Sequence, residues 1–214
     1  MANLKDIRNR IKSVKSIQKV TKAMKMVAAA KMRKAQERME QARPYSNSLS
    51  EIIEHLLPDV DRDSLALLQV REIKRKAYVV VSADRGLAGA FNTNLLKIAQ
   101  REIDEFGREN VDIFCIGKKA RDHFKYRNYN VLESHIDFWA EMEFENAMMI
   151  GRSVIDHFTS GSVDEIHVVY NYFTNIAQQE VKSETLLPLS YDEVEYTASD
   201  LSLIHISEPT RRLN

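Results

Sequence analysis

The sequence contains no proline or glycine before Pro44. In that stretch apolar residues recur at Leu4, Ile7, Ile11, Val14, Ile17, Val20, Met24 and Val27, always three or four positions apart. This is the spacing of one helical face, close to a coiled-coil seam. At 1.5 Å per residue, a helix over residues 1–43 is about 65 Å long. That is longer than a small domain is wide, so most of its length is expected to lie against something else.

Charge sets the same stretch apart. Residues 1–43 hold 13 Lys or Arg against 3 Asp or Glu, whereas the whole chain holds 31 of each. A neutral total therefore hides a basic rod joined to an acidic body. Such asymmetry points to an interaction arm whose partner is nucleic acid, an anionic membrane or an acidic protein surface. Past Val27 the helix turns thin and strongly helix-favouring at Ala28, Ala29 and Ala30. Met24, Met26, Met32 and Met39 add soft, unbranched surface.

The 214 residues suit one globular domain plus an extension, and a 44% hydrophobic content can fill a core. The single Cys115 forms no intramolecular disulfide, which fits a reducing compartment. No 18-residue apolar run predicts a transmembrane helix, and no apolar segment follows the N-terminus as in a secretory signal. The basic amphipathic start has the look of a transit peptide. However, Lys outnumbers Arg there by 8 to 5 and the pattern runs past residue 30, which favours a mature structural helix.

Pro44 is expected to interrupt or kink the helix, with a helical pattern resuming over Ser48–Leu57. Pro58 and the aspartates at 59, 61 and 63 predict a polar linker within 58–76. Strand and helix signals then alternate. Ala77–Ser82 and Val111–Ile116 read as buried strands, Val131–Phe138 as a third, and Glu165–Phe173 as a fourth. Ala177–Leu189 reads as a last extended segment, antiparallel to the fourth. Thr93–Phe106, capped by Gly107, Lys118–Tyr126 and Glu141–Phe158 read as helices. The last of these is expected to face the core with Ala147, Ile150, Val154 and Phe158. The alternation predicts a small Rossmann-like α/β sheet with right-handed crossovers.

Catalytic patterns are missing. The first strand–helix loop, SADRGLAGAFN, offers a GxxG from Gly86 to Gly89 but neither GxGxxG nor GxxxxGK[ST]. The two glycines read as a tight turn with close backbone approach. No histidine falls in a ligand-spaced cluster, so no metal is expected. Cys115 sits inside an apolar strand and reads as core rather than nucleophile. A basic helix can neutralise phosphates, which keeps a nucleic-acid-binding arm as the alternative reading. Against it, residues 1–43 contain no aromatic side chain for base stacking.

Two stretches, MANLKDIRNRIKSVKSIQKVTKAMKMVAAAKMRKAQ and SADRGLAGAFN, together with LLPL at Leu186–Leu189, closely resemble the gamma subunit of F-type ATP synthases. The resemblance covers about residues 1–195. It implies a long N-terminal coiled-coil helix beside a Rossmann-like domain, and a non-catalytic central-stalk rotor that couples ion-driven rotation to ATP synthesis in the beta subunits. It also implies alpha, beta and epsilon subunits and a membrane c ring as partners, with no cofactor, metal or nucleic acid. The location implied is peripheral, on the cytoplasmic face of a bacterial inner membrane. Met24 matches the family's position near the beta-subunit lever, with Lys25, Lys31 and Arg33 as neighbouring contacts. Asp84, Arg85, Gly86 and Gly89 match the loop motif, where a local folding role is expected. The family's chloroplast members carry a regulatory cysteine pair, which one cysteine cannot form.

The resemblance divides the chain into a rotor helix at 1–57, a linker at 58–76 and the α/β domain at 77–200. Family members continue into a C-terminal helix that pairs with the first, and this partner helix is not expected in the present sequence. Residues 201–214 do not resemble the family. Leu201–Arg211 (LSLIHISEPTR) instead resembles an in-frame translation of a transposase adaptor used in sequencing libraries, so residues 201–214 are expected to be a non-native tail.

Overall fold

A computed structural model describes residues 4–57, 60–61, 65–137, 139, 144–175 and 178–189. Pro58, Asp59 and Asp63 of the expected linker, the start of the expected helix at 141–143, and the tail at 201–214 lie outside these. The chain divides into two compact units, Met1–Asp59 and Val60–Asn214.

The first unit is one helix, α1 (Leu4–Leu56), of 53 residues and with no buried residue. It runs through Pro44 without a break. Proline removes the N–H that would bond the carbonyl of Glu40, so the continuation has to be carried by its flanks. Glu40–Arg43 on one side and the Leu49–Ile52–Leu56 pattern on the other are helix-competent, and Glu40 is exposed. Local bonds along α1 are of the same short-range kind. Arg33 Nε meets Glu37 Oε1 at 3.0 Å and Gln36 donates to Glu40 at 2.9 Å.

The second unit opens with a short 3-10 turn at Ala66–Leu68, inside the stretch expected to be linker, with Leu68 buried. Its strands are β1 (Lys76–Val81), β2 (Val111–Ile116), β3 (Val131–His135), β4 (Glu165–Phe173) and β5 (Gln179–Leu187). Between them lie α2 (Phe91–Phe106), α3 (Lys118–Tyr126) and α4 (Phe144–Thr159). The sheet order is β3-β2-β1-β4-β5, parallel except for the antiparallel β5. β3 stops at His135, short of the expected Phe138, where Asp137 takes φ 59°.

The period-2 alternation of the strands sorts residues to two faces. Tyr78, Val80, Val111, Ile113 and Cys115 pack with Leu95, Ala99, Ile103 and Phe124 of α2 and α3. Ala77, Val79, Phe114 and Ile166 pack with Ile150, Val154 and Phe158 of α4. Helices leaving β1 and β2 cover one face, and the helix that returns across β1 to β4 covers the other, as crossovers of a single hand require. Ala147, expected in the core, is exposed. It precedes Ile150 by three positions but sits at the first turn of α4, beyond the cover of the sheet.

Gly107 caps α2 as expected, its N–H bonding Ile103 O at 3.0 Å. A buried polar cluster ties the N-terminal ends of the strands together. Asp112, 2% exposed, accepts from Arg75 at 3.0 Å, Asn130 at 2.6 Å and His157 at 2.9 Å. A buried carboxylate is tolerated because its oxygens are bonded and two of its partners carry or can carry positive charge.

Candidate functional site

Two features were singled out by sequence, the surface of α1 and the loop after β1. On α1, Leu4 is 69% exposed and Met24 67% exposed, and the apolar residues between them are similarly open. Lys25, Lys31 and Arg33 are exposed as well. They do not share one face. At 3.6 residues per turn, Lys31 returns to within about 20° of Met24, Lys25 lies about 100° away and Arg33 falls about 180° away, on the opposite side. Arg33 is also engaged by Glu37. A flat partner surface therefore meets Met24 with Lys31. Only a partner that surrounds the helix meets all four.

The apolar stripe is not straight either. From Leu4 to Val27 its steps average about 3.3 residues, so it falls about 30° behind the helix at each step and winds left-handedly around it. A mating surface for α1 must follow that winding or enclose the rod.

The loop between β1 and α2 is a stitched junction at the C-terminal end of the sheet. Ser82, 2% exposed, donates its N–H to Ile116 O at 2.8 Å, and its hydroxyl accepts the Ala120 N–H at 2.8 Å. Asp84 Oδ1 accepts the Lys118 N–H at 2.8 Å, one of the free donors at the start of α3. Asn92 reaches back from α2, accepting from Ala83 N at 3.1 Å and donating to Arg85 O at 3.3 Å. Trp139 donates its indole N–H to Ser82 O at 2.9 Å. Gly117 closes the junction at φ +97°, where an added Cβ would fall 2.2 Å from Ser82 O.

Of the motif residues, Asp84 has this specific bonding role. Gly89 supplies a positive φ of 57°, and Gly86 does not adopt one. The second left-handed position is Leu87, at φ 58° and fully exposed. Arg85 is exposed and contributes its backbone carbonyl. Sequence reasoning missed Ser82, Asn92, Gly117 and Trp139. Only the short polar side chains flanking a turn hinted at the first two, and the partners of Ser82, which are Ile116 and Ala120, are distant in sequence.

Neither feature is built for covalent chemistry. Cys115 is fully buried, and burial pushes its thiol up to about 12 against the weaker pull of Lys125 and Arg121. The Asp112–His157 pair has the outline of a general-base dyad, but Arg75 and Asn130 occupy the same carboxylate beneath the sheet. Among the described residues, no group of three His, Cys, Asp or Glu could hold a metal ion. Likewise, no helix among them is long and apolar enough to cross a membrane.

Residues 3–212 match the family model described as ATP synthase. The ATP synthase gamma chain of Chloroherpeton thalassium is 43% identical over 206 residues, which cover 94% of this chain and 68% of that one. The gamma chain of Desulforamulus reducens is 43% identical over 189 residues, covering 88% and 66%. The chain thus spans about two-thirds of the length of these curated relatives. Among solved structures it is similar to a chain of the Tetrahymena thermophila mitochondrial ATP synthase central stalk and c ring. The TM-score is 0.64 at 25% identity, over 79% of this chain and 72% of that one. A chain of the Euglena gracilis mitochondrial ATP synthase rotor shares the fold, with a TM-score of 0.57 at 22% identity over 84% and 61%.

Proposed function

The chain belongs to the ATP synthase gamma-chain family, and from that premise we propose that α1 is a bearing shaft turned inside a ring of alpha and beta subunits. A gamma subunit is a non-catalytic stalk component, and the chemistry of ATP lies in the beta subunits. The observation that carries the reading is α1 itself, 53 residues long, with no buried residue and an apolar stripe open to solvent. An isolated amphipathic helix is marginal in water unless its face is packed. In this reading the stripe is the seam for the family's C-terminal helix, and the rest of the helix surface faces the surrounding subunits.

Met24 and Lys31, on one line of the shaft, are the contact to a beta-subunit lever. Lys25 and Arg33 meet other members of the ring as the shaft turns, because they point in other directions. The net positive charge of residues 1–43 complements acidic beta segments and guides their contact. The α/β unit sits at the foot of the stalk, against the epsilon subunit and the c ring. The complex is thereby held at the cytoplasmic face of a bacterial membrane. Asp84, Arg85, Gly86 and Gly89 serve the folding of the loop, as the Asp84–Lys118 bond supports. Nucleic-acid binding by α1 has only its charge in favour.

The test is Met24→Lys in an assembled complex, with ATP hydrolysis and ATP-driven proton pumping measured side by side. Hydrolysis is expected to continue while pumping falls. Unchanged coupling with normal assembly removes Met24 from the contact.

A further inference from the structure

Away from the shaft and the loop, α2 and the edge strand β5 frame a groove of about 480 Å³ above the N-terminal ends of β1 and β4. Its floor is aromatic. Tyr78 and His167 are stacked with centroids 5.2 Å apart, and the Phe106 ring lies beside them. Glu102 and Glu105 line the α2 wall, Ser183 and Thr185 the β5 wall. We propose that this groove is a docking site for a basic segment of a partner protein, which inserts a lysine or arginine side chain over the Tyr78–His167 stack and between Glu102 and Glu105.

The charges around the groove select that chemistry. Lys76, the lysine lining the groove, is already committed, with Glu165 at 2.6 Å and the Phe106 ring at 5.0 Å, and Glu165 also bonds His167 at 2.8 Å. That neutralises Glu165 and leaves two carboxylates in excess. Glu102 is held toward β5 by the Ser183 hydroxyl at 2.7 Å, and so is oriented before any partner arrives. Glu105 has only a loose 3.8 Å approach from the well-exposed Arg101. The Tyr78 phenol reports the resulting field. Burial first, then Glu102, Glu165 and Glu105, push it up to about 12. An anionic group entering here meets like charge, whereas a cation gains both carboxylates and the aromatic faces beneath. Among the described residues, α2 and α3 are the helices packed on this face of the sheet, and α2 is the one that borders the groove.

The full chain is titrated with a capped Gly-Arg-Gly-Lys-Gly peptide and, separately, with a capped Gly-Glu-Gly-Asp-Gly peptide, following backbone amide shifts by NMR. The basic peptide is expected to move Tyr78, Phe106, His167 and Thr185, and the acidic one to leave them in place. Glu102→Gln with Glu105→Gln, neither of them in the core, should weaken binding about tenfold while the circular dichroism spectrum is kept. Thr185→Arg, which supplies a guanidinium from within, should block the peptide as well. Equal affinity for the double variant and the native chain overturns the site. So do shifts centred on a different acidic surface, or preference for the acidic peptide. None of these outcomes depends on the role of α1.

Discussion

α1 and α2 are both amphipathic helices, and they are stabilised in opposite ways. The 53 residues of α1 bury nothing, while the 16 of α2 bury Asn92, Leu95, Leu96, Ala99 and Ile103. α1 is held by propensity, by i,i+4 pairs such as Arg33–Glu37 and by length, each contributing a few tenths of a kcal/mol per residue or pair. α2 is held by side chains that each contribute about 1.5–3 kcal/mol when fully buried. A helix that buries none of its own residues is weakly anchored, whereas the α/β unit is held by a packed core.

The contrast is sharpest when equivalent truncations are compared. Phe158→Ala, in the α4 face of the core, should destabilise the α/β unit by about 3–5 kcal/mol. Ile11→Ala on α1 should change stability by less than about 0.5 kcal/mol, because Ile11 is 51% exposed and Ala favours helix. Urea titration of the full chain measures both, and similar losses at the two sites would erase the distinction.

Glycines give a second comparison within the α/β unit. Gly117→Ala forces a Cβ against the Ser82 carbonyl and should cost about 3 kcal/mol or more. Gly151→Ala in the middle of α4 meets nothing within 4 Å and should stabilise by up to about 1 kcal/mol. Thermal unfolding should move in opposite directions for the two.

Acid should separate the units by a smaller amount. Burial raises the Asp164 carboxyl, but backbone N–H bonds from Arg75 and Lys74 outweigh it and hold the carboxyl below its ordinary value. A depressed carboxylate contributes stability that is present above its unfolded value and lost as pH falls through the folded one. Tertiary signals of the α/β unit should therefore weaken below about pH 4, with α1 helicity less affected. Asp164→Asn should flatten that acid loss, and an unchanged pH profile in this variant would remove Asp164 from it.

What was legible in the sequence was what depends on short-range spacing. The long basic helix, the alternating strand and helix order and the Gly107 cap all follow from periods of 3.6 and 2 and from turn chemistry. The resemblance in TKAMKMVAAAKMRKAQ and DRGLAGAFN placed the chain in its family. The continuity of α1 through Pro44 was not legible, because one missing hydrogen bond competes with a dozen helix-favouring neighbours and local signals do not weigh them. Exposure of Ala147 was not legible either, since helical spacing names a face without saying where its cover ends.

The site divides along the same line. Sequence alone determined that α1 would be basic, continuous over its first forty or so residues and striped, because these are properties of neighbours along one chain. Only the tertiary structure decided which distant groups meet. It brought Asp84 to Lys118, Asn92 to Ala83 and Glu102 to Ser183, and it opened the groove over Tyr78 and His167. Those contacts join residues 9 to 81 positions apart. Their partners are fixed by sheet order and crossover hand, which the spacing of residues within any one element does not encode.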